Sequence, residues 1–236
     1  MKKLLTTFFL LVSLCCFAQE QMHIPSRPNA NVPPKIKETR LYGKTIIMFG
    51  DSYIQNGGRP IEESWHYKLA LKYNMNYYNF GLNGNCIAYD RTAEKCGFPL
   101  YERVDELPDK ADYVIVCAGH NDAVIIHRIG EGTNFFRSRM ALLCEGLKAK
   151  FPNAKICFIT PWAVPQPMYP EMIATMQEVC DDYNIPLFDA SKDSGIHVGY
   201  QGFRRLYFQD ANDMAHLNAK GHELFAPKIE HFLLNL

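Results

Sequence analysis

Three residue types in this chain, a serine, a histidine and an aspartate, have the placement that acyl-transfer chemistry requires. Ser52 and the preceding Asp51 come directly after the apolar run of residues 45–50. Asp213 precedes His216 by three residues, so its carboxylate can hold the imidazole of the same loop and fix its tautomer. A serine hydroxyl is a poor nucleophile at neutral pH, so a base must take its proton as it attacks. Ser52, Asp213 and His216 are therefore the predicted catalytic residues.

Attack on an acyl group produces an oxyanion, which needs preorganised hydrogen-bond donors. The predicted donors are the backbone N–H groups of Ser52 and Gly81 and the side-chain amide of Asn121. Gly81 suits the task because it has no side chain to block approach to its amide. Gly, Asp, Ser and Asn are also ordinary turn residues, so each position alone indicates little. Asp122 is predicted to brace loops rather than to act as a second catalytic acid.

These residues follow apolar segments that predict a parallel sheet. Strands and helices alternate along the chain, and the strands are unbroken apolar runs, which is typical of strands buried on both faces. Right-handed crossovers place the strand ends on one rim, where residues distant in sequence converge. The predicted fold class is α/β, a three-layer α/β/α sandwich. The predicted strands are residues 45–50, 76–81, 112–119, 155–160 and 186–188, and the predicted helices are residues 62–73, 133–150, 171–183 and 219–234.

Four sequence blocks, taken together and in order, resemble those of the SGNH hydrolases, also called GDSL esterases and lipases. The blocks are Gly50-Asp51-Ser52, Gly81, Gly119-His120-Asn121-Asp122 and Asp213-Met214-Ala215-His216. The resemblance spans about residue 44 to the C-terminus and implies a flavodoxin-like sandwich, no cofactor, and ester hydrolysis through an acyl-enzyme. Tyr53 and Leu217 depart from the family pattern without removing a catalytic atom, so they bear on subfamily and substrate.

The N-terminus predicts export to the periplasm or the extracellular space. Residues 1–18 have the charged, apolar and small-residue order of a signal peptide, residues 19–40 form a polar, proline-bearing arm or linker, and residues 41–236 form the hydrolase domain. The apolar run is too short for a comfortable transmembrane helix, so no stable membrane insertion is expected. A lipoprotein is the competing interpretation, because Cys15 and Cys16 lie where a bacterial lipidation cysteine could be. Leu14 argues against it, because lipoprotein signals resemble sequences with a small residue before the cysteine.

Charge and motif content exclude several other classes. The chain has 25 basic and 25 acidic side chains, so no basic surplus predicts nucleic-acid binding. No histidine, cysteine or acidic residues have metal-ligand spacing, and the sequence contains neither a phosphate-binding loop nor a Gly-x-Ser-x-Gly elbow. Cys86 and Cys96 bracket a polar loop and could pair.

The predicted substrate is a small-molecule or oligosaccharide ester, foremost an acetyl group on carbohydrate. Export and the lack of a long apolar lid segment favour small acyl groups on a polar carrier. Trp162, which lies in a proline-rich loop, and Tyr53 are the predicted substrate contacts. One alternative is a lipase, lysophospholipase or thioesterase for longer acyl chains. The other is a catalytically silent carbohydrate-binding module with the same sandwich.

Overall fold

The computed structural model describes residues 22–27 and 31–236. The predicted signal peptide and its two cysteines lie outside these residues, so the export prediction stays a prediction. Within the described residues, six strands form one sheet. The strands are β1 (Met22–Ile24), β2 (Thr45–Gly50), β3 (Asn76–Gly81), β4 (Tyr113–Cys117), β5 (Lys155–Ile159) and β6 (Leu187–Phe188).

The sheet has the strand order β1-β3-β2-β4-β5-β6. From β3 to β6 every neighbouring pair is parallel, but β1 runs antiparallel to β3. The sheet is therefore mixed, and the prediction of a wholly parallel sheet is wrong at this edge. The three residues of β1 are too few to show a strand pattern in the sequence. Their pairing is supported by His23, whose ring stacks on Tyr78 at 4.2 Å between centroids.

Helices connect the strands and differ from the predicted bounds at several points. The helix Trp65–Lys72 (α3) is capped by Ser64, whose hydroxyl accepts the N–H of Tyr67, so the helix begins after Ser64 rather than at residue 62. The helix His120–Ile129 (α4) was not predicted, and it starts directly after Gly119, which has a φ of 113°. The helices are α1 (Pro34–Lys37), α2 (Ser52–Gln55), α3 (Trp65–Lys72), α4 (His120–Ile129), α5 (Asn134–Lys150), α6 (Met168–Asp182), α7 (Ala190–Asp193), α8 (Gln201–Tyr207) and α9 (Ala219–Leu234).

The helices form two layers around the sheet. Helices α3 and α8 pack on α9, and helices α4 and α5 pack on α6. The central strands β2 and β4 are buried from Ile46 to Gly50 and from Tyr113 to Cys117. Such continuous burial is possible only when both faces of the sheet are covered, so the predicted three-layer α/β/α sandwich is confirmed.

The register of the central strands brings three strand ends to one level. Gly50 at the end of β2 pairs with Gly81 of β3 on one side and with Cys117 of β4 on the other. A Cβ at Gly50 would collide with the Cys117 carbonyl, so the close approach of the strands requires glycine here. The segments that follow these strands therefore meet at one rim of the sheet.

Candidate active site

Ser52, His216 and Asp213 form one chain of hydrogen bonds at this rim. Ser52 Oγ lies 2.9 Å from His216 Nε2, and His216 Nδ1 lies 2.9 Å from Asp213 Oδ2. An ionised carboxylate can only accept, so Nδ1 carries the proton and the Nε2 lone pair faces the serine hydroxyl. The arrangement can therefore take a proton from Ser52.

Asp213 and His216 lie in the base loop, which we define as residues 209–218. Asp213 Oδ1 accepts the backbone N–H groups of Ala215 at 2.8 Å and His216 at 3.0 Å. One carboxylate thus shapes the turn with one oxygen and orients the imidazole with the other. The Trp162 indole N–H donates to the Ala215 carbonyl at 2.7 Å and ties the loop to the sandwich.

The pKa values of Asp213 and His216 move apart. Burial raises the pKa of Asp213, but hydrogen bonds from the His216 side chain and from backbone N–H groups outweigh it and leave the pKa below its ordinary value. Burial lowers the pKa of His216, but the hydrogen bond and charge of Asp213 outweigh that and raise it. The Asp213 carboxylate therefore favours the protonated form of His216, which is the form that a general base adopts after it takes a proton.

Ser52 begins the short helix α2 directly after β2. Asp51 caps this helix, its Oδ1 accepting the Tyr53 N–H at 2.8 Å. The N–H of Ser52 has no acceptor among the described residues, which leaves it available to an oxyanion. Asp51 itself is buried, and its Oδ2 has no partner in the described part of the chain. Burial, together with the charge of Asp122, raises the pKa of Asp51 to about 7.

Gly57 is a site residue that the sequence patterns did not indicate. Its φ is 54°, and a Cβ there would lie 2.6 Å from His216 Cδ2. The imidazole therefore packs against a backbone that has no side chain. From sequence, this glycine predicts only a turn, because its contact with His216 spans most of the chain.

The oxyanion donors differ in part from the predicted set. Asn121 Nδ2 donates one hydrogen to the Asn85 carbonyl at 2.9 Å, which leaves its second N–H for an oxyanion. The prediction for Gly81 is wrong, because its N–H already donates to Asn79 Oδ1 at 2.8 Å. A Cβ at Gly81 would also collide with the backbone of α2 at Gln55. Gly81 therefore serves close packing rather than anion binding.

Gly84 is the better candidate for the second backbone donor. Its N–H has no acceptor among the described residues, and its φ of 76° lies in the left-handed region. Its neighbour Asn85 is the residue that the Asn121 amide holds. The signal in the sequence was the glycine three residues beyond the strand, where a turn leaves backbone amides unpaired.

The amide loop, which we define as residues 82–103, carries Gly84 and is held by buried polar groups. The Asp122 carboxylate accepts the N–H groups of Ile87 and Ala88, both at 2.9 Å, which is the bracing role predicted for it. Arg103 Nη1 donates to Asn85 Oδ1 at 2.8 Å. Burial raises the pKa of Asp122 to about 6, although the two N–H groups oppose the shift.

The predicted substrate contacts Tyr53 and Trp162 are buried. Trp162 exposes 3% of its surface and stacks on Tyr53 with 4.9 Å between ring centroids. Its other contacts are the base loop and Phe225 of α9. The prediction of Trp162 as a substrate contact is therefore wrong in this structure, because neither face of the indole is open. Prolines flanking a tryptophan predict its loop but not its burial.

Other predicted features concern cysteines, metals and membranes. Cys86 and Cys96 are both free thiols, so the disulfide considered for them does not form in the structure. Within residues 22–27 and 31–236, no group of three or more His, Cys, Asp or Glu side chains could hold a metal ion. None of the helices described above combines the length and apolarity needed to span a bilayer.

Solved structures share this fold at low sequence identity. A protein from Lactobacillus plantarum is 21% identical with a TM-score of 0.70, covering 81% of this chain and 97% of its own. The psychrotrophic esterase EstA from Pseudoalteromonas sp. is 18% identical with a TM-score of 0.62, covering 82% and 100%. The acetyl xylan esterase AlAXEase is 22% identical with a TM-score of 0.60, covering 80% and 99%. No curated protein sequence matches the chain.

The family comparison covers the site residues. The model of the GDSL-like Lipase/Acylhydrolase family matches residues 48–224, which include Ser52, Asn121, Asp213 and His216. This span is well over half of the chain and runs from β2 to α9. The fold, the four sequence blocks and this match agree, and the chain belongs to the GDSL-like Lipase/Acylhydrolase family, a family of ester hydrolases.

Proposed function

We propose that this protein is an exported serine esterase that removes acetyl groups from carbohydrate through an acyl-enzyme on Ser52. The observation that carries the proposal is the continuous hydrogen-bond chain from Ser52 Oγ through His216 to Asp213. The N–H of Ser52 and the side-chain amide of Asn121, which follow the neighbouring strands β2 and β4, each have a hydrogen to offer an oxyanion.

The first half of the reaction forms the acyl-enzyme. Ser52 Oγ attacks the ester carbonyl while His216 Nε2 takes the hydroxyl proton. The resulting oxyanion accepts hydrogen bonds from Ser52 N–H, Asn121 Nδ2 and, as we propose, Gly84 N–H. His216 then returns the proton to the leaving alcohol as the carbon–oxygen bond breaks, which leaves the acyl group on Ser52.

The second half releases the acid. A water molecule gives a proton to His216 Nε2 and attacks the acyl carbonyl, and the same donors hold the second oxyanion. His216 then protonates Ser52 Oγ as the carboxylic acid leaves. Asp213 stabilises the imidazolium in both halves and keeps its own carboxylate ionised, since its pKa is below the ordinary value.

The preference for a short acyl group is supported by the packing beside Ser52. Tyr53 follows the nucleophile, is buried, and stacks on the buried Trp162, so fixed rings fill this side of the serine. Enlarging a well-packed wall to admit a long chain would cost packing energy. One structural neighbour, AlAXEase, is named an acetyl xylan esterase. The predicted signal peptide supports a substrate outside the cytoplasm.

A longer acyl chain is the second candidate, and a specific cavity favours it. A groove of about 550 Å³ lies beyond the ends of β5 and β6, lined largely by apolar side chains that include Val164 and Ile173. Tyr169 lines this groove and also contacts His120, next to Asn121. A chain that reached past Tyr169 would find apolar surface there.

The nucleophile is tested with a fluorophosphonate probe and mass spectrometry of the labelled peptide. We expect label on Ser52 in the folded protein and none in Ser52→Ala, whose kcat for esters falls by on the order of 10⁴–10⁶. Unchanged activity in Ser52→Ala would exclude the proposal. Binding of acetylated oligosaccharide with no turnover of any ester would instead support the silent carbohydrate-binding module.

The substrate class and export are tested separately. Acetylated xylo-oligosaccharides and a series of acyl esters from acetyl to long chains are assayed, with Ser52→Ala as the blank. We expect kcat/KM to fall as the chain lengthens, whereas a steady rise would support the lipase alternative. Expression in a bacterium with fractionation should yield protein beginning at Gln19, and a retained residue 1 would contradict export.

A further inference from the structure

His120 is the first residue of α4 and lies next to the oxyanion donor Asn121. The half-buried imidazole is directed toward Tyr169 and Tyr53, whereas the Asn121 amide is directed toward the amide loop. The mechanism described above makes no use of His120.

The hydrogen bonds of His120 determine its tautomer. The Tyr169 hydroxyl lies 2.7 Å from His120 Nδ1, and the Tyr53 hydroxyl lies 3.3 Å from the same nitrogen. Burial raises the pKa of both phenols, so both remain hydroxyl donors at neutral pH. The alternative acceptor for Tyr169 is the His120 carbonyl at 3.5 Å, which is at the limit of a hydrogen bond. Nδ1 is therefore an acceptor, and the ring proton is on Nε2.

The Nε2–H group is an unused donor. No described residue accepts from it, and Nε2 is absent from the buried polar atoms that lack a partner, so solvent reaches it. Burial, together with the charge of His216, lowers the pKa of His120 to about 4, so the ring is neutral at pH 7. A neutral ring with its proton on an open nitrogen is a directional hydrogen-bond donor.

The neighbours of His120 indicate which part of the substrate it faces. The Tyr53 hydroxyl contacts its ring, Tyr53 stacks on Trp162, and the Trp162 indole N–H donates to the Ala215 carbonyl, so these two side chains connect His120 to the base loop. The Asn121 amide, the proposed oxyanion donor, is instead directed toward the amide loop. In the proposed reaction His216 returns a proton to the leaving alcohol, so the alcohol portion of the substrate occupies the side that His120 faces.

We propose that His120 binds the alcohol portion of the substrate. Its Nε2–H donates to the oxygen of a hydroxyl group on the carbon adjacent to the one that carries the ester oxygen. This inference rests on the proposed function and narrows it to esters of polyhydroxylated alcohols, the class to which sugars belong. An unfilled donor beside a reacting ester selects for an oxygen there, because a substrate without one leaves the desolvated N–H unpaired.

The test compares two esters of equal size, ethylene glycol monoacetate and n-propyl acetate, which differ in a terminal hydroxyl against a methyl group. The measured quantity is the ratio of their kcat/KM values in wild type, His120→Asn and His120→Gln. The Gln amide can place an N–H near the position of Nε2, whereas the shorter Asn amide reaches only the position of Nδ1. We expect the ratio to fall about tenfold in His120→Asn and to be largely retained in His120→Gln.

The outcomes separate this inference from the proposed function. A ratio that is the same in wild type and His120→Asn would overturn the role of His120 while leaving the esterase intact. Wild-type protein that hydrolyses neither ester would overturn both. If His120→Asn fails to fold, His120→Phe keeps a ring and removes the donor, and the ratio of the two kcat/KM values should fall by a similar factor.

Discussion

The base loop reaches Ser52 through His216, and the amide loop reaches Gln55 of the same helix α2 through the Asn83 N–H, but the two loops are held in different ways. In the base loop, the carboxylate and the imidazole are three residues apart, and Asp213 accepts two N–H groups of its own turn. In the amide loop, the contact of Asn121 with Asn85 spans 36 residues and that of Asp122 with Ile87 spans 35. The proposed base is thus held largely by its own turn, whereas the proposed oxyanion donor Asn121 depends on contacts between distant residues.

The two aspartates that organise these loops also differ in the direction in which their pKa is shifted. Asp213 is half-buried, and its hydrogen bonds bring its pKa below the ordinary value. Asp122 is fully buried, and burial raises its pKa to about 6. The carboxylate that faces the His216 imidazole is held ionised by its hydrogen bonds, while the one that holds a loop is fully buried and raises the pKa of the buried Asp51. Because both residues are aspartates, the difference in their pKa comes from their surroundings rather than from residue type.

The largest expected effect tests whether the base loop holds His216 in place through contacts of its own residues. Asp213→Asn keeps an oxygen for the backbone N–H groups of the turn but places an amide NH₂ opposite His216 Nδ1. That donor favours the tautomer with its proton on Nε2, which cannot accept from Ser52, so kcat should fall by about 10⁴. Steady-state kinetics and thermal unfolding check this, and the unfolding temperature should change little.

Asp213→Ala is the matched control, since it removes both the turn acceptor and the imidazole partner. We expect it to lose stability as well as activity. If Asp213→Asn retained a tenth of the wild-type kcat, the base would not depend on the carboxylate, and Asp213 would have only a structural role.

The next effect tests the amide-loop side. Asn121→Ala removes one oxyanion donor and the contact with Asn85, so kcat should fall by about 10²–10³ with KM little changed. The loss is in kcat because the donor is needed when charge develops on the carbonyl oxygen. Initial rates on phenyl acetate measure it. A loss of only a few-fold would mean that backbone N–H groups carry the oxyanion without Asn121.

The contrast between local and long-range support explains what the sequence could predict. Ser52 after an apolar strand and Asp213 before His216 are local patterns, and the structure places them in one hydrogen-bonded chain. Gly81 was assigned to the oxyanion because it ends a strand like Gly50. The Gly81 N–H donates to the side chain of Asn79 instead, and no spacing rule indicates that hydrogen bond.

The remaining differences between the predictions and the structure also arise from contacts between residues that are distant in sequence. Strand β1 is recognisable only through its pairing with β3, and the burial of Trp162 depends on Phe225 of α9 and on Ala215. Gly57 touches His216 across more than 150 residues of chain. The fold class, in contrast, follows from apolar runs and their alternation with helices, which are local properties repeated along the chain.

A smaller effect is expected when either of the two buried arginines that support the loops is replaced. Arg103 donates to Asn85 Oδ1 in the amide loop, and Arg204 donates to the Ala211 carbonyl in the base loop, and each exposes 7% of its surface. Replacing either by Met leaves an acceptor unpaired and should lower the free energy of unfolding by about 1–3 kcal/mol. Urea denaturation measures this for both variants.

Their activities should differ even where their stabilities match. Arg103→Met lets Asn85 and Asn121 shift, so kcat should fall about tenfold, because small misplacements of catalytic groups are costly. Arg204→Met should lose less, because Asp213 and His216 hold each other. Equal losses, measured at a temperature where both variants are folded, would contradict the self-contained base loop.

The smallest effect is the position of the acid limb of kcat/KM. His216 must be neutral to act as the base, and its pKa is raised above the ordinary value of 6.5. Activity should therefore be lost as the pH falls through a midpoint above 6.5. A pH series with phenyl acetate measures the midpoint, and a flat profile from pH 8 to pH 5 would exclude His216 as the base.

Asp51 also titrates in this range, with a pKa raised by burial to about 7, and it directly precedes Ser52. Asp51→Asn separates the two, because the amide oxygen can still accept the Tyr53 N–H while the charge is removed. If His216 produces the limb, it persists in Asp51→Asn and moves slightly to lower pH, since the carboxylate no longer attracts the imidazolium. If the limb disappears instead, the titrating group is Asp51, and the strand end rather than the base loop sets the pH dependence.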